Sequence, residues 1–226
     1  MSKLKQAPVI SLNQVSKSYL EGNVSHLVLD SISAEFQKGE CVALLGRSGS
    51  GKSTVLNLIS GIDKPDNGSI FVQDKDITRL SEQERTLFRR SQIGFIYQFF
   101  NLIPTLTVLE NVLLPLELNK QRDESLAKTL LDEVSLLDRQ SEYPDRLSGG
   151  EQQRVAIIRA LVHDPLIVLA DEPTGNIDQE TGNQVITMLE KLVRKRHKTM
   201  IIVTHSQEIA SFADRHLLLE NGVLKS

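Results

Sequence analysis

The chain has 226 residues, 40% of them hydrophobic and 24% charged, and its formal net charge is −3. This length can form one large or two small packed domains, and the charge excludes a nucleic-acid-binding protein that depends on a basic surface. The single cysteine, Cys41, excludes an intramolecular disulfide and suits a reducing compartment.

No apolar run approaches the roughly 18–20 residues that cross a bilayer, and residues 1–6 lack the apolar core of a signal peptide. We therefore expect the chain to be cytosolic by itself and to take any membrane location from a partner.

The opening third of the chain predicts an antiparallel sheet. Residues 9–19 and 31–36 alternate apolar and polar side chains, as strands with one buried face do. Asp66-Asn67-Gly68 is a turn signal before a third strand at residues 69–72. Residues 41–45 are instead continuously apolar, which is typical of a strand buried on both faces of a parallel sheet.

Three further apolar runs predict more strands of the parallel kind, at residues 93–97, 166–170 and 200–204. A helix is predicted at residues 181–195, where the apolar side chains share one face. Strands that alternate with helices indicate an α/β sheet with right-handed crossovers. Residues 217–224 predict a closing hairpin with an Asn-Gly turn.

The middle of the chain, residues 99–161, contains no such strand. Two places in it match the helix capping box, a hydroxyl followed three residues later by a carboxylate: Thr107 with Glu110, and Ser148 with Glu151. We therefore predict a helical subdomain inserted into the α/β core.

A phosphate loop is predicted between the strand at 41–45 and a following helix, because residues 46–53 match G-x-x-x-x-G-K-[ST]. Backbone N–H groups and the helix N-terminus would form a cradle for the β- and γ-phosphates. Lys52 would add a full positive charge, and the Ser53 hydroxyl would ligate Mg²⁺. The predicted nucleotide-binding residues here are Gly46, Arg47, Ser48, Gly49, Ser50, Gly51, Lys52, Ser53 and Thr54.

An acidic pair, Asp171 and Glu172, follows the apolar run at 166–170. The carboxyl end of a parallel strand is where such sheets bind ligands. We predict that Asp171 holds Mg²⁺, directly or through water, and that Glu172 orients and polarises the attacking water. A solvated acidic turn before Pro173 is the plain alternative, and the phosphate loop in the same chain counts against it.

Residues 147–152 read Leu-Ser-Gly-Gly-Glu-Gln, and with the phosphate loop and Leu-Ala-Asp-Glu-Pro at 169–173 they carry a family resemblance. From Tyr19 to His205 the chain resembles the ATP-binding subunit of an ATP-binding-cassette (ABC) transporter. The resemblance implies one domain over residues 1–226, with a P-loop NTPase core, a mostly parallel sheet and an N-terminal antiparallel subdomain. Residues 1–98 and 162–226 would form the core with its β subdomain, and 99–161 the helical subdomain.

The resemblance also implies roles for residues that no pattern singles out. Tyr19 would stack on adenine, Gln98 would sense Mg²⁺ and contact the membrane subunit, and His205 would reach the γ-phosphate. Asp178 would belong to the loop that links two ATP sites. The family's signature motif would bind the ATP of a second cassette through Ser148, Gly149, Gly150 and Glu151. The implied catalytic residues are Lys52, Glu172 and His205.

The partners implied by the resemblance are an integral membrane permease and a second cassette, as a homodimer or pseudo-dimer with two ATP molecules sandwiched in it. No nucleic acid is expected, and the location would be the cytoplasmic face of the inner (plasma) membrane. Residues 175–178 (Gly-Asn-Ile-Asp) and 101–112 are similar to a branch that handles lipoprotein release and macrolide or peptide export. The second segment would help form a groove for a permease helix.

Three other functions compete with the export of a lipoprotein, peptide or amphipathic drug. A DNA-maintenance ATPase would carry a long coiled coil between Lys52 and Asp171, where no sustained heptads occur. Soluble translation factors of the superfamily usually carry two cassettes in one chain. A cell-division or mechanotransmission complex stays open, because its cassettes look like those of true transporters.

Overall fold

The structure is a computed structural model that describes residues 7–121 and 123–225, so the prediction for residues 1–6 lies outside it. Two compact units are present: Met1–Arg89 with Thr199–Ser226, and Arg90–Lys198. These bounds differ from those of the predicted subdomains, and the division into core and helical subdomain stays a prediction.

Ten strands and seven α-helices occur in the described part of the chain. The strands are β1 (Ile10–Glu21), β2 (Val24–Phe36), β3 (Cys41–Leu45), β4 (Asn67–Val72), β5 (Lys75–Asp76), β6 (Ile93–Ile96), β7 (Ile167–Asp171), β8 (Thr199–Val203), β9 (Arg215–Glu220) and β10 (Val223–Lys225). The helices are α1 (Lys52–Ile59), α2 (Glu82–Gln92), α3 (Val108–Leu118), α4 (Glu124–Glu133), α5 (Gly149–Leu161), α6 (Gln179–Lys195) and α7 (Gln207–Ala210).

The predicted antiparallel sheet is confirmed, with the strand order β2-β1-β4-β5. Its alternating side chains bury one face, where Ile10, Leu12 and Phe36 are at most 2% exposed. The strand β2 begins seven residues before the predicted position 31. Most of its first half is exposed on both faces, so no alternation could reveal it.

The predicted buried parallel strands are also confirmed. In the first unit, β3 pairs in parallel with both β8 and β9, and β10 returns antiparallel to β9. Asn221 and Gly222 both have positive φ at that turn, as a two-residue hairpin requires. In the second unit, β6 and β7 pair in parallel. The α/β fold class is therefore as predicted.

Both capping boxes form as predicted. The Thr107 and Ser148 hydroxyls accept the backbone N–H of Glu110 and Glu151, and each glutamate side chain accepts the N-cap N–H in return. The helix α5 then packs on β6, where Gly94 leaves no room for a side chain next to the carbonyl of Ala160. Helix α2 was not predicted, because only Arg85 and Phe88 of its eleven residues are buried.

Candidate functional site

The phosphate loop runs from the end of β3 into α1, as the sequence predicts. Its turn is closed by the N–H of Ser50, which donates to the carbonyl of Arg47 at 3.1 Å. Lys52 is only 7% exposed, and its Nζ donates to the carbonyls of Gly46 at 2.9 Å and Arg47 at 2.8 Å. The ammonium is thus held within the loop by neutral carbonyl groups, which leave its charge available to an anion.

Two glycines of this loop, Gly46 and Gly51, lie too close to neighbouring atoms to carry a side chain. A Cβ at Gly46 would lie 2.5 Å from the carbonyl oxygen of Leu219, and one at Gly51 would lie 2.8 Å from Cγ1 of Val28. Gly51 also has φ 99° and starts α1 with no side-chain cap. The first N–H groups of α1 are therefore not occupied by a capping side chain, which makes this helix start suited to a phosphate.

A further sign that the loop fits a polar ligand is Ser50 Oγ, which is buried and has no hydrogen-bond partner among the described residues. Buried hydroxyls are rarely left without a partner. A cavity of about 570 Å³ lies beside the loop, lined by residues 26–28 of β2, 47–50 of the loop and 219–222 of the final hairpin.

Two more predicted residues lie in the first unit. Tyr19 is near the end of β1, opposite His26 of β2, and is 40% exposed. Its hydroxyl donates to Oδ2 of Asp63 at 2.8 Å. His205 follows β8 and is exposed.

The acidic pair lies in the second unit, at the end of β7. Asp171 is the last residue of the strand and Glu172 the first beyond it, and both are half-buried. Glu172 has φ 47°, a conformation that residues other than glycine adopt infrequently. The N–H of Gly175 donates to its carbonyl at 3.0 Å, so a hydrogen-bonded turn helps to hold this backbone.

The signature begins α5 with an exposed Ser148. Hydrogen bonds from the Ser148 N–H and hydroxyl lower the pKa of the Glu151 carboxyl below its usual value. The two glycines have a packing reason of their own. A Cβ at Gly149 would lie 3.1 Å from Cγ2 of Ile177, and one at Gly150 would overlap the Thr181 side chain. The capping box alone does not explain these glycines, but the contact with residues 177–181 does.

Asp178 caps α6 in the structure. Its Oδ1 accepts the backbone N–H of Thr181 at 3.0 Å, and this hydrogen bond lowers the pKa of the carboxyl. Asp178 therefore stabilises the start of α6, and its role in the loop that links two ATP sites stays a prediction.

Gln98 lies two residues beyond β6, in a segment that other elements hold by its backbone carbonyls. Asn176 Nδ2 donates to the carbonyl of Gln98 itself at 3.0 Å. Arg159 of α5 donates to the carbonyls of Phe100 at 2.9 Å and Asn101 at 2.6 Å. The Gln98 side chain lies against Gly175, where a Cβ would be 2.7 Å from Nε2. Helix α5 and residues 175–176 thus fix the position of this segment.

Sequence reasoning missed Arg159 and Asn111. Burial lowers the pKa of Arg159, and its guanidinium donates to the backbone carbonyls of Phe100 and Asn101. Asn111 is fully buried in α3, where its amide accepts the N–H of Ile103 and donates to the carbonyls of residues 103, 106 and 107. The signal in the sequence is that Asn111 is a polar residue on an otherwise apolar helical face. A polar side chain at such a position is expected to be buried and hydrogen-bonded.

The predicted residues are therefore divided between the two units. The phosphate loop, Tyr19 and His205 belong to the first unit, and Gln98, the acidic pair, the signature and Asp178 belong to the second.

A sequence model of the ABC transporter family matches residues 29–175, which is more than half of the chain. The chain belongs to the ABC transporter family. It is an ATP-binding cassette, and its activity is the hydrolysis of ATP coupled to transport across a membrane.

Several relatives of this cassette are similar over nearly their whole length. An uncharacterized ABC transporter ATP-binding protein of Mycobacterium tuberculosis is 52% identical over 98% of this chain and 90% of its own. The lipoprotein-releasing system ATP-binding protein LolD of Coxiella burnetii is 45% identical over 99% of this chain and 97% of its own.

Two solved structures of the ABC cassette MJ0796 are also similar, each with a TM-score of 0.87 and 40% identity over 96% of this chain and 97% of theirs. One is a dimer in a post-hydrolysis state bound to ADP and Pi. The other is a dimer of what is described as a bacterial ABC transporter cassette. In our cassette, none of the helices in the described ranges is long and apolar enough to cross a membrane.

Hydrogen exchange can test whether the hydrogen bonds from Arg159 hold the segment after Gln98 in place. In an Arg159→Met variant the carbonyls of residues 100 and 101 lose their donors, so we expect amide exchange across residues 98–103 to rise about tenfold or more. Arg90→Met is the matched control, because Arg90 also donates to a carbonyl, that of Leu118. Unchanged exchange at 98–103 in Arg159→Met would show that Arg159 does not hold this segment.

Proposed function

We propose that this cassette is the ATP-hydrolysing subunit of a membrane complex that exports or extracts a lipoprotein, peptide or amphipathic drug. The observation that carries the proposal is the phosphate loop, where a buried Lys52 and the uncapped start of α1 offer charge and N–H groups to a triphosphate. We propose that the signature at the start of α5 is a second phosphate-binding surface in the same chain, through the N–H groups of Gly149 and Gly150, which its capping box does not use. We propose that the two surfaces act on different ATP molecules.

In the proposed site, Lys52 and the N–H groups of residues 46–54 bind the β- and γ-phosphates, and Tyr19 stacks on adenine. Ser53, Gln98 and Asp171 offer the hydroxyl, amide and carboxylate oxygens that Mg²⁺ prefers. No cluster of three or more His, Cys, Asp or Glu side chains suited to a metal occurs in the described chain. Mg²⁺ needs no such cluster, because it keeps water and phosphate oxygens as ligands. When bound, the ion would neutralise charge on the phosphates.

The proposed reaction is attack of water on the γ-phosphorus, with ADP as the leaving group. The Glu172 carboxylate would orient and polarise the water by accepting a hydrogen bond from it. Lys52 would stabilise the negative charge on the phosphoryl oxygens. His205 would reach the γ-phosphate. Positioning and charge neutralisation would supply most of the acceleration, because this transfer needs little covalent help from the protein.

We further propose that two cassettes pair head to tail, so that residues 148–151 of each bind the ATP held by the phosphate loop of the other. Hydrolysis would remove contacts that only the closed dimer makes, and the population would shift towards separated cassettes. Asp178 would lie in the loop that links the two sites. The dimers seen for the similar cassette MJ0796 support this pairing.

The proposed partner is an integral membrane permease, which would keep the cassette peripheral at the cytoplasmic face of the inner membrane. Phe99 follows Gln98 and is 68% exposed, next to the segment that Arg159 and Asn176 hold. An exposed aromatic side chain on a fixed segment is suited to bind a partner helix. Lipoprotein is the favoured cargo, because several similar relatives are LolD proteins of lipoprotein-releasing systems.

The role of Glu172 predicts a separation of binding from turnover. We expect Glu172→Gln to lower the ATP turnover number by about 10²-fold or more, because an amide cannot polarise water as a carboxylate does, while ATP still binds. Steady-state phosphate release and equilibrium ATP binding would measure the two effects. A glutamine variant that hydrolyses ATP at a nearly normal rate would refute this role.

The transport proposal predicts a membrane partner. The tagged cassette, purified from gently solubilised native membranes, should bring down an integral membrane protein in stoichiometric amount. A partner with a large extracytoplasmic domain would support lipoprotein release or export. If a known complex survives the same procedure and no membrane protein accompanies the cassette, the permease proposal is wrong.

A further inference from the structure

Lys17 is a nearly buried cation in β1, two residues before Tyr19. Its side chain is 11% exposed, although lysine is seldom buried unless it is paired. Its Nζ donates to Oδ1 of Asp63 at 3.0 Å and to the carbonyl of Lys64 at 2.8 Å, and lies 3.6 Å from Oδ1 of Asp66. Removing a lysine ammonium from water costs free energy, and these three acceptors offset that cost. Asp63 is the closer of the two carboxylates.

The same carboxylate also binds the tyrosine. Oδ1 of Asp63 accepts from Lys17, and Oδ2 accepts from the Tyr19 hydroxyl at 2.8 Å. Burial raises the pKa of the Tyr19 phenol above its usual value, so the hydroxyl keeps its proton and remains a donor to Asp63. The Lys17 ammonium lies 5.1 Å from the centre of the ring, within the range of a cation–π contact.

Tyr19 is therefore fixed at one end and on one face. The hydroxyl is held by Asp63, one face of the ring is next to the ammonium, and the ring still remains 40% exposed. Asp63 is itself tied to the neighbouring helix, because its backbone N–H donates to the carbonyl of Asn57 at 3.1 Å. Because Asn57 lies in α1, this bond links Asp63, and through it the Tyr19 ring, to the helix that begins at Lys52.

We propose that Asp63 and Lys17 are positioning residues that hold the Tyr19 ring as a platform for the base of the nucleotide, at a fixed distance from the phosphate loop. The inference rests on the proposed stacking of adenine on Tyr19. A ring that is already oriented loses less conformational entropy when a base stacks on it. Asp63 and Lys17 act on the base only through Tyr19, and residues 46–54 bind the triphosphate without them.

The proposal is tested by comparing a ligand that has a base with one that has none. Calorimetry on the full chain would give Kd values for adenylyl imidodiphosphate and for inorganic tripolyphosphate, both with Mg²⁺. For Asp63→Ala and Lys17→Met we expect the nucleotide Kd to rise about three- to tenfold and the tripolyphosphate Kd to stay unchanged. Lys128→Met is the matched control, because Lys128 forms an exposed ion pair with Glu124 on α4.

Variants of Tyr19 separate this inference from the proposed function. If Tyr19→Ala binds the nucleotide as tightly as the unaltered chain, the stacking role of Tyr19 fails. If Tyr19→Ala weakens nucleotide binding, Asp63→Ala should add nothing further in that background, since it acts through the same ring. The positioning role would be overturned if Tyr19→Ala and Asp63→Ala together lose the sum of their separate losses in nucleotide affinity. It would also be overturned if Asp63→Ala weakens tripolyphosphate binding as much as nucleotide binding.

Tyr19→Phe keeps the ring and removes only its hydroxyl, so it tests the same bond if Asp63→Ala folds poorly. We expect it to weaken nucleotide binding as much as Asp63→Ala does. A Tyr19→Phe variant that folds with an unchanged melting temperature and binds both ligands normally would also overturn the proposal.

Discussion

The uncapped start of α1 is the feature on which the proposed function of this cassette depends. Helices leave their first N–H groups without intrahelical partners, and side-chain caps normally satisfy some of them. In the described part of the chain, α3, α4, α5 and α6 each begin at a residue whose side chain accepts such an N–H group. Helix α1 begins instead at Gly51, with no side-chain cap. In the proposed site, the donors that a cap would occupy bind the phosphates of ATP instead.

The surrounding structure is consistent with this requirement. Leu219 and Val28 crowd the loop so that only glycine fits at positions 46 and 51, and Lys52 stays buried against loop carbonyls. Tyr19 is fixed through Asp63 and Lys17 in the same unit. In the other unit, α5 both begins at the signature and holds the backbone beyond Gln98 through Arg159. A shift of α5 would therefore be transmitted to the segment proposed to face the permease.

The sequence predicts the parts of this arrangement that local patterns encode. The phosphate loop, the buried parallel strands and both capping boxes each depend on residues within a few positions of one another, and all were placed correctly. Helix α2 escaped prediction because it buries too few apolar residues to show a period. The pairing of Lys17 with Asp63 escaped because its partners are 46 residues apart and neither belongs to a motif. From the sequence, the paired glycines of the signature indicate only a phosphate-binding surface. The contacts with Ile177 and Thr181, which leave no room for larger side chains, are visible only in the structure.

The central claim is that each ATP is bound by two chains, and sedimentation of the ATP-bound Glu172→Gln variant tests it most directly. The account predicts a species of twice the monomer mass with ATP and the monomer without it. Adding Ser148→Arg should return the ATP-bound protein to the monomer, whereas Thr107→Arg, at the matching cap of α3, should leave the dimer intact. A protein that stays monomeric with saturating ATP, or dimerises equally well with Ser148→Arg, would contradict the account.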